Sequence, residues 1–311
     1  MKQFIQIIIL TFLMTTARSQ NPYVLILGTA QDGGYPHLGC EKDCCNMAWK
    51  NDSLHRFVVS LALVDPQTKN WWLFEATPDI KEQLQYFKTL TKGKYNYLPS
   101  GIFLTHAHIG HYTGLIQLGR EVMSTKEVPV YVLPKMKKYL ETNGPWSQLV
   151  TLKNVTLIQL DLANTLELEK GILINTFVVP HRDEFSETAG FRISFRMEHG
   201  KDSLKSYLFI PDTDKWEKWD KNIIEEVKKV TYAFVDATFN EITELKNRKV
   251  EEVPHPFLSE TMDLFKKESK ETKAKLQFIH FNHTNPVMWD KTAIKKILEQ
   301  GFNLAEQGAK Y

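Results

Sequence analysis

The chain has 311 residues, of which 42% are hydrophobic and 24% are charged, and its formal net charge at pH 7 is +2. This composition excludes a disordered, collagen-like or coiled-coil protein, because enough apolar material is present for a core. Proteins that bind nucleic acid carry an excess of Lys and Arg, so the near-neutral charge also argues against a nucleic acid partner.

The first twenty residues, MKQFIQIIILTFLMTTARSQ, begin with Lys2 and continue as an apolar run over residues 4–14. Small residues precede the expected cleavage site, which is typical of a secretory signal peptide. We therefore predict a signal peptide over residues 1–19 and a single domain over residues 20–311. The apolar run is too short to cross a bilayer, so we expect a periplasmic or secreted protein without a stable membrane anchor.

Apolar runs and turns alternate along the rest of the chain and predict its elements in order. Strands are predicted at residues 23–27, 56–64, 71–74, 101–105, 128–132, 155–160, 172–179, 206–210, 231–235 and 276–281. Helices are predicted from Thr77-Pro78 through Phe87, after residue 105 through Val122, and over residues 215–227. A strand-rich start followed by mixed elements predicts two sheets packed face to face with helices outside, a layered α/β architecture.

The three cysteines of the chain, Cys40, Cys44 and Cys45, lie together in the segment GCEKDCC. An odd number of cysteines in an oxidising compartment cannot all pair within the chain. Two interpretations stay open. Either the thiolates hold a structural zinc, with His37 as a further ligand, or Cys40 pairs with a neighbour and one thiol is left over.

The segment THAHIGH follows the predicted strand GIFLT and precedes a predicted helix. His106, His108 and His111 would converge from one tight turn, and imidazole is a ligand that suits zinc, iron and other transition metals. Three such side chains at the end of one strand are difficult to explain as packing or as solvated surface. The segment therefore predicts a metal site.

Two other chemistries find no support in the sequence. A Ser-His-Asp hydrolase is disfavoured, because the chain lacks the Gly-x-Ser-x-Gly elbow on which that nucleophile sits. The Gly-rich turn GTAQDGG is not a dinucleotide-binding fingerprint, because its glycines do not have the required spacing.

The segment THAHIGH resembles the metal signature of the metallo-β-lactamase superfamily, His-x-His-x-Asp-His, with Gly110 in place of the Asp. Four segments, LGTAQDGGYPHLGC, FEATPDIKEQL, THAHIGHYTGL and IHFNHTNP, resemble in order the branch that contains coenzyme PQQ synthesis protein B and the phosphonate-pathway phosphodiesterases. The resemblance covers nearly the whole mature chain. It implies an αββα sandwich of two mixed sheets flanked by helices, with metal ligands on loops at one edge.

The resemblance also implies six metal ligands on those loops: His106, His108, His111, His181, Asp212 and His280. The first site would use His106, His108 and His181, the second would use His111 and His280, and Asp212 would bridge the two metals. Taken singly, three of these residues have ordinary alternatives. His181 could be a surface loop residue, Asp212 a helix cap and His280 a core residue, but each stands at or next to the end of an apolar strand.

Gly110 departs from the superfamily pattern at a mechanistically important position. In the superfamily the missing Asp binds the second metal and orients the nucleophilic water, so its absence puts a complete second site in doubt. Asp32 in the Gly-rich turn, or His283, could supply the lost group. One tightly held metal with a weaker second metal is the other open interpretation.

His255, in the segment EVPHPFLSE, is a candidate catalytic acid, because related enzymes place a His in a comparable segment. The alternative is an ordinary surface His. A metal held by neutral imidazoles and one carboxylate lowers the pKa of bound water to about 7, which makes hydroxide available for attack on an ester.

We therefore expect an exported, metal-dependent hydrolase that acts on a small phosphodiester, lactone or other ester. The expected cofactor is a divalent metal, zinc above all with iron or manganese as alternatives, in one or two active-site positions. A second hypothesis is an iron-dependent oxygenase like the one attributed to the PQQ protein, although coenzyme assembly is expected in the cytoplasm. A third is a non-catalytic binding protein, in which Gly110 marks a decayed site.

Overall fold

The structure is a computed structural model that describes residues 21–169, 171–197, 204–245 and 249–311, with the side chain of Glu251 excepted. The predicted signal peptide lies outside these residues. Within them, none of the helices has the length and apolar character needed to cross a membrane.

The first sheet contains six strands, which pair in chain order: β1 (Tyr23–Gly28), β2 (Ser60–Val64), β3 (Trp71–Phe74), β4 (Gly101–Phe103), β5 (Val128–Val132) and β6 (Val155–Gln159). Strands β1 to β3 are antiparallel, and β3 to β6 are parallel. Strands β1 to β4 are buried on both sides, so they read as continuous apolar runs such as VLIL and SLALV.

The second sheet contains seven strands: β7 (Leu166–Glu169), β8 (Ile172–Val179), β9 (Thr188–Arg196), β10 (Leu204–Ile210), β11 (Tyr232–Asp236), β12 (Leu276–Ile279) and β13 (Asn303–Leu304). They pair in the order β13-β12-β11-β10-β9-β8-β7. Strands β7 to β10 are antiparallel, and β10 to β13 are parallel.

The α-helices of the described residues are α1 (Asp43–Trp49), α2 (Ile80–Leu90), α3 (Ile109–Tyr112), α4 (Pro134–Thr142), α5 (Trp146–Thr151), α6 (Ile223–Lys228), α7 (Leu258–Leu264), α8 (Lys270–Lys275) and α9 (Lys291–Glu299). Helix α2 shows how they pack. Its Ile80, Leu84 and Phe87 recur at helical spacing and are all buried, and Gln83 is the one buried residue among the five positions between them.

The core between the sheets is rich in aromatic side chains. The Phe74 ring of β3 stacks on Phe103 of β4 at a centroid distance of 4.7 Å and meets Phe191 of β9 edge-on at 5.4 Å. Burial of one such side chain contributes about 2 kcal/mol to stability. Outside this layer, α2, α4 and α5 pack on the first sheet, and α6, α7 and α9 pack on the second. The predicted αββα sandwich is therefore confirmed.

Three of the predicted elements differ in the structure. The strand predicted at 56–64 begins only at Ser60, because residues before it make isolated bridges to the Gly-rich turn. The helix predicted through Val122 is the single turn α3 followed by a 3₁₀ helix over Thr113–Leu118. The helix predicted over 215–227 is a 3₁₀ turn followed by α6, whose start is fixed by the side chain of Asn222, which accepts hydrogen bonds from two backbone N–H groups.

The parallel strands bring their carboxyl ends to one edge of the sandwich. Glu75 follows β3 directly and His280 follows β12 directly, and both have positive φ, 74° and 68° respectively. Non-glycine residues rarely adopt this left-handed conformation, and it is found preferentially at functional sites. The edge of the sandwich is thus where the chain turns sharply to deliver polar side chains.

Candidate metal centre

Four side chains converge on one point at this edge. His106 and His108 follow β4, His181 follows β8 and Asp212 follows β10. The Nε2 atoms of His106 and His181 lie 3.3 and 3.2 Å from Asp212 Oδ2, and the Nδ1 atom of His108 lies 2.8 Å from His106 Nε2. One ligand atom from each of the four residues lies within 4.8 Å of the others, a spacing that one metal ion can span.

A second group lies beside the first. One ligand atom each from Asp32, His111 and His280 lies within 4.8 Å of the others. The Nε2 atom of His111 is 3.6 Å from Asp32 Oδ1 and also 3.6 Å from Asp212 Oδ2. Asp212 therefore stands between the two groups, where a bridging carboxylate is expected.

The donor atoms of the second group fit a metal. Asp32 Oδ1, His111 Nε2 and His280 Nε2 are buried and have no hydrogen-bond partner among the described residues. Buried polar atoms without partners are unfavourable, and native proteins contain few of them. Imidazole nitrogens with carboxylate oxygens are donors that zinc, iron and manganese accept.

The outward-facing ring nitrogens of four of the five histidines contact other side chains, whereas His181 Nδ1 is buried without a hydrogen-bond partner among the described residues. Each contact orients the ring and leaves the other nitrogen to face the site. Carboxylates and hydroxyls that contact metal-binding histidines have the same effect in known metal sites. The partners are Thr105 Oγ1 for His106 Nδ1 at 2.8 Å, Glu184 Oε2 for His108 Nε2 at 2.7 Å, Glu75 Oε1 for His111 Nδ1 at 3.5 Å and Thr238 Oγ1 for His280 Nδ1 at 2.8 Å.

The electrostatics keep Asp212 ionised and favour the neutral forms of His106 and His280. Burial alone would raise the pKa of Asp212, but the surrounding His181, His255 and His280 outweigh burial and hold this pKa well below its usual range. Burial lowers the pKa of His106 well below its ordinary value and that of His280 to about 4. For His111, burial alone would lower the pKa, but Glu75 and Asp212 raise it to about 10. Deprotonated imidazoles and an ionised carboxylate are the forms that bind metal.

The ordinary alternatives for three single residues do not describe this structure. The His181 side chain is fully buried rather than on the surface. Asp212 caps no helix, since the next helical turn among the described residues begins at Trp216. The ring of His280 is buried, but it lies against His111 at a centroid distance of 5.4 Å and not in an apolar core.

His255 is also buried, with 6% of its surface exposed, so its description as a surface loop residue is wrong. Its Nδ1 atom lies 2.9 Å from Asp236 Oδ2 and 3.2 Å from Asp212 Oδ1. Burial alone would lower the pKa of His255, but the two carboxylates, Asp236 first, raise it to about 10. The two carboxylates therefore favour the charged form of this imidazole.

Sequence reasoning missed Asp236, Glu75 and Glu184. Asp236 is the last residue of β11, and Glu75 follows β3. The signal that would have found both is an acidic residue at the carboxyl end of an apolar strand. Glu184 gives no comparable signal, because it lies in a polar loop 76 residues away from His108 along the chain.

His283, one of the two residues considered for the role of the missing Asp, lies elsewhere. Its ring stacks on that of His37 at a centroid distance of 4.2 Å, beside the cysteine segment. The Sγ atoms of Cys40, Cys44 and Cys45 lie within 4.8 Å of one another, and all three thiols are free in the structure.

Comparison with known proteins agrees with this arrangement. The beta-lactamase superfamily domain matches residues 70–281, a range that includes all six expected histidine and aspartate ligands. The chain belongs to the metallo-β-lactamase superfamily. The resemblance noted in the sequence is thus confirmed.

Within this superfamily, the chain is 26% identical over 306 residues to coenzyme PQQ synthesis protein B of Methylococcus capsulatus, a match that covers 92% of this chain and 98% of that protein. The first curated relatives that it matches have the same name, and the chain spans about half of their length, 52%. These matches agree with the resemblance to the branch that contains PQQ synthesis protein B.

Two crystal structures share the metallo-β-lactamase fold of the chain. Zn²⁺-bound PqqB from Methylobacterium extorquens superposes with a TM-score of 0.71 at 21% identity and covers 93% of this chain and 99% of that one. A diphosphatase of the PhnP family superposes with a TM-score of 0.65 at 19% identity and covers 93% and 96%. At these identities the likeness concerns the fold.

Proposed function

We propose that the chain is a divalent-metal-dependent hydrolase of a small phosphodiester, lactone or other ester. The observation that carries this proposal is the convergence of His106, His108 and His181 on Asp212 Oδ2. The second group, with His111 and His280, adjoins it through the same carboxylate oxygen. A divalent metal held by these residues would supply Lewis acidity and a water whose pKa is lowered to about 7.

The residues of the chain have distinct tasks in this proposal. Asp212 neutralises positive charge between the two groups of histidines. His255 is the candidate acid, because both carboxylates contact its Nδ1 atom and leave Nε2 as the atom that donates a proton to the leaving group. Asp236 holds the His255 ring in place and stabilises its charged form.

The proposal is tested by elemental analysis of the purified protein together with its activity on phosphodiesters and lactones. We expect zinc or manganese bound in the active site, and His106→Ala should lose both this metal and the activity. His55→Ala is the matched control, since His55 bonds to the backbone oxygen of Ala48 at 3.0 Å, outside the metal centre. A metal-free wild-type protein, or full activity in His106→Ala, would refute the proposal.

A second candidate function is favoured by the relatives that bear the name coenzyme PQQ synthesis protein B. In this alternative the same histidines hold iron and the protein is an oxygenase. It predicts iron in the elemental analysis and substrate turnover that stops when oxygen is removed. Zinc as the active metal, with hydrolysis unchanged under nitrogen, would exclude it.

We also propose export of the protein and a structural zinc at the cysteine cluster. Export rests on the basic and apolar pattern of the first twenty residues. Expression of the full chain in a Gram-negative host should yield a periplasmic protein that lacks residues 1–19, and an intact N-terminus would contradict export.

The structural zinc rests on the three clustered thiols. Denatured, chelator-treated protein should react with three equivalents of Ellman's reagent, whereas a disulfide would leave one. One zinc per chain should also survive in His106→Ala, because the cysteine cluster is separate from the active site.

A further inference from the structure

The glycine at position 110 is explained by the space around it. Gly110 lies in α3 and its φ is outside the left-handed region, so its backbone does not require glycine. A Cβ atom at this position would lie 2.1 Å from Asp32 Oδ1 and 2.7 Å from Asp32 Cα. Real Cβ atoms do not approach other atoms this closely. Residue 32 therefore occupies the space that a side chain at position 110 would need.

The backbone around Asp32 is held from both sheets. The N–H of Ala30 donates to Phe57 O at 2.9 Å, and the N–H of Gln31 donates to Phe281 O at 2.8 Å. Phe57 precedes β2 of the first sheet, and Phe281 follows β12 of the second. The position of Asp32 is thus set by the backbone of the sandwich and not by a freely moving loop.

The Asp32 carboxylate points to the second group of metal-binding atoms. Its Oδ1 atom is buried without a hydrogen-bond partner and lies 3.6 Å from His111 Nε2. A carboxylate oxygen of Asp32 also lies within 4.8 Å of a ring nitrogen of His280. A buried carboxylate oxygen that lies near two imidazole nitrogens and makes a hydrogen bond to neither is suited to share a cation with them.

We propose that Asp32 supplies the carboxylate ligand of the second metal site, in place of the Asp that the superfamily signature carries at position 110. This inference rests on the proposed metal centre. The carboxylate comes from the turn after β1 instead of from α3, so Asp32 and Gly110 form a reciprocal pair. Asp32 in this position requires glycine at position 110, because two side chains cannot occupy the same space. The missing ligand is thus replaced by a residue from a different part of the chain, and Gly110 does not mark a site that has lost its metal.

The first test is a cobalt titration of chelator-treated protein, followed by visible absorption and by metal analysis. We expect two binding events at nitrogen and oxygen ligands, while thiolate charge-transfer absorption marks any cobalt at the cysteine cluster. Asp32→Asn, which keeps the volume and removes the charge, should weaken the second event more than 10-fold and leave the first unchanged. Asp32→Ala should do the same.

The matched control is Asp263→Asn, the same chemical change at an exposed position in α7. A titration of Asp32→Asn that equals the wild-type titration would overturn the inference. Failure of this inference can be distinguished from failure of the proposed function. In the first case the His106-dependent metal and the hydrolysis persist, whereas in the second the wild-type protein lacks them.

The second test exploits the reciprocity. Gly110→Asp alone should lower the melting temperature and the cobalt stoichiometry, because its side chain collides with residue 32. The double variant Asp32→Gly/Gly110→Asp should recover part of both quantities, since the carboxylate is restored from the other side. Recovery is expected to be partial, because the Cα atom of residue 32 still lies 2.7 Å from the new Cβ atom. Equal effects of Gly110→Asp in the presence and absence of Asp32 would overturn the reciprocal relationship.

Discussion

His255 and Asp236 form a buried pair in which Nδ1 of the imidazole lies 2.9 Å from Oδ2 of the carboxylate. The same Oδ2 accepts a hydrogen bond from the N–H of Thr213 at 3.0 Å, and Oδ1 accepts one from Thr238 Oγ1 at 2.6 Å. These two hydrogen bonds fix the orientation of the Asp236 carboxylate independently of its contact with His255. This arrangement is the one expected of a catalytic acid whose ring is oriented by a neighbouring carboxylate.

The first prediction concerns this pair. His255→Gln should lower kcat by about 10²- to 10⁴-fold with little change in KM, because it removes the proton donor and leaves the substrate contacts in place. Asp236→Asn should give a smaller loss of kcat, since the imidazole remains but is oriented less well. Steady-state kinetics check both variants, and bound metal is measured alongside. A loss that appears only as raised KM would argue against the role of an acid.

The second prediction concerns the contact between Glu184 and His108. Glu184 Oε2 lies 2.7 Å from His108 Nε2, which orients the ring so that Nδ1 faces His106 and His181. Glu184→Gln should lower the affinity of the first metal about 10- to 100-fold. Competition with a chelator measures this affinity. Glu187→Gln on the same loop is the control, because Glu187 bonds to the backbone N–H of Lys135 and not to a histidine.

The sequence predicted the layered architecture because buried parallel strands consist of uninterrupted apolar residues. The element that it missed most clearly is β9, whose sequence TAGFRISFR includes Gly190 and Arg192. Arg192 lies on the face turned to α6, where it pairs with Glu226, so a charged residue interrupts the pattern of a core strand. Such a contact depends on the tertiary structure and cannot be inferred from local periodicity.

The histidines of the metal centre were predictable from the signature and from their places at strand ends. Their supporting carboxylates were not, because each role depends on a contact made far along the chain. The side chain of Asp32 was one of two options in the sequence, and only the space beside Gly110 distinguishes it from His283. The spacing of residues along the chain does not reveal a contact between residues as far apart as Asp32 and Gly110.

A third prediction concerns Glu75, which is fully buried with its Oε1 atom 3.5 Å from His111 Nδ1. Removal of one partner from a buried charged pair leaves the other without compensation. In chelator-treated protein, Glu75→Gln should therefore lower the free energy of unfolding by about 3 kcal/mol, measured by urea denaturation. Glu169→Gln, at a partly exposed position in β7, should change it by less than about 0.5 kcal/mol. Equal effects of the two substitutions would show that Glu75 does not support His111.

A fourth prediction separates the possible substrate classes. Arg182 follows His181 directly, is half-exposed, and has its Nη2 atom 3.3 Å from His108 Nδ1. A guanidinium at the mouth of the site suits a phosphate, with which arginine forms paired, charge-assisted hydrogen bonds. Arg182→Ala should raise KM for a phosphodiester about 10- to 100-fold, since a hydrogen bond to a charged group contributes about 1.5–3 kcal/mol.

The same substitution should leave the KM of a neutral lactone nearly unchanged, because a lactone offers no anion to the guanidinium. The control is Arg120→Ala, which removes an exposed guanidinium that pairs with Glu121. Parallel kinetics on one phosphodiester and one lactone check the prediction. An equal rise of KM for both substrates would mean that Arg182 shapes the site without recognising charge, and the preference for a phosphodiester would lose its support.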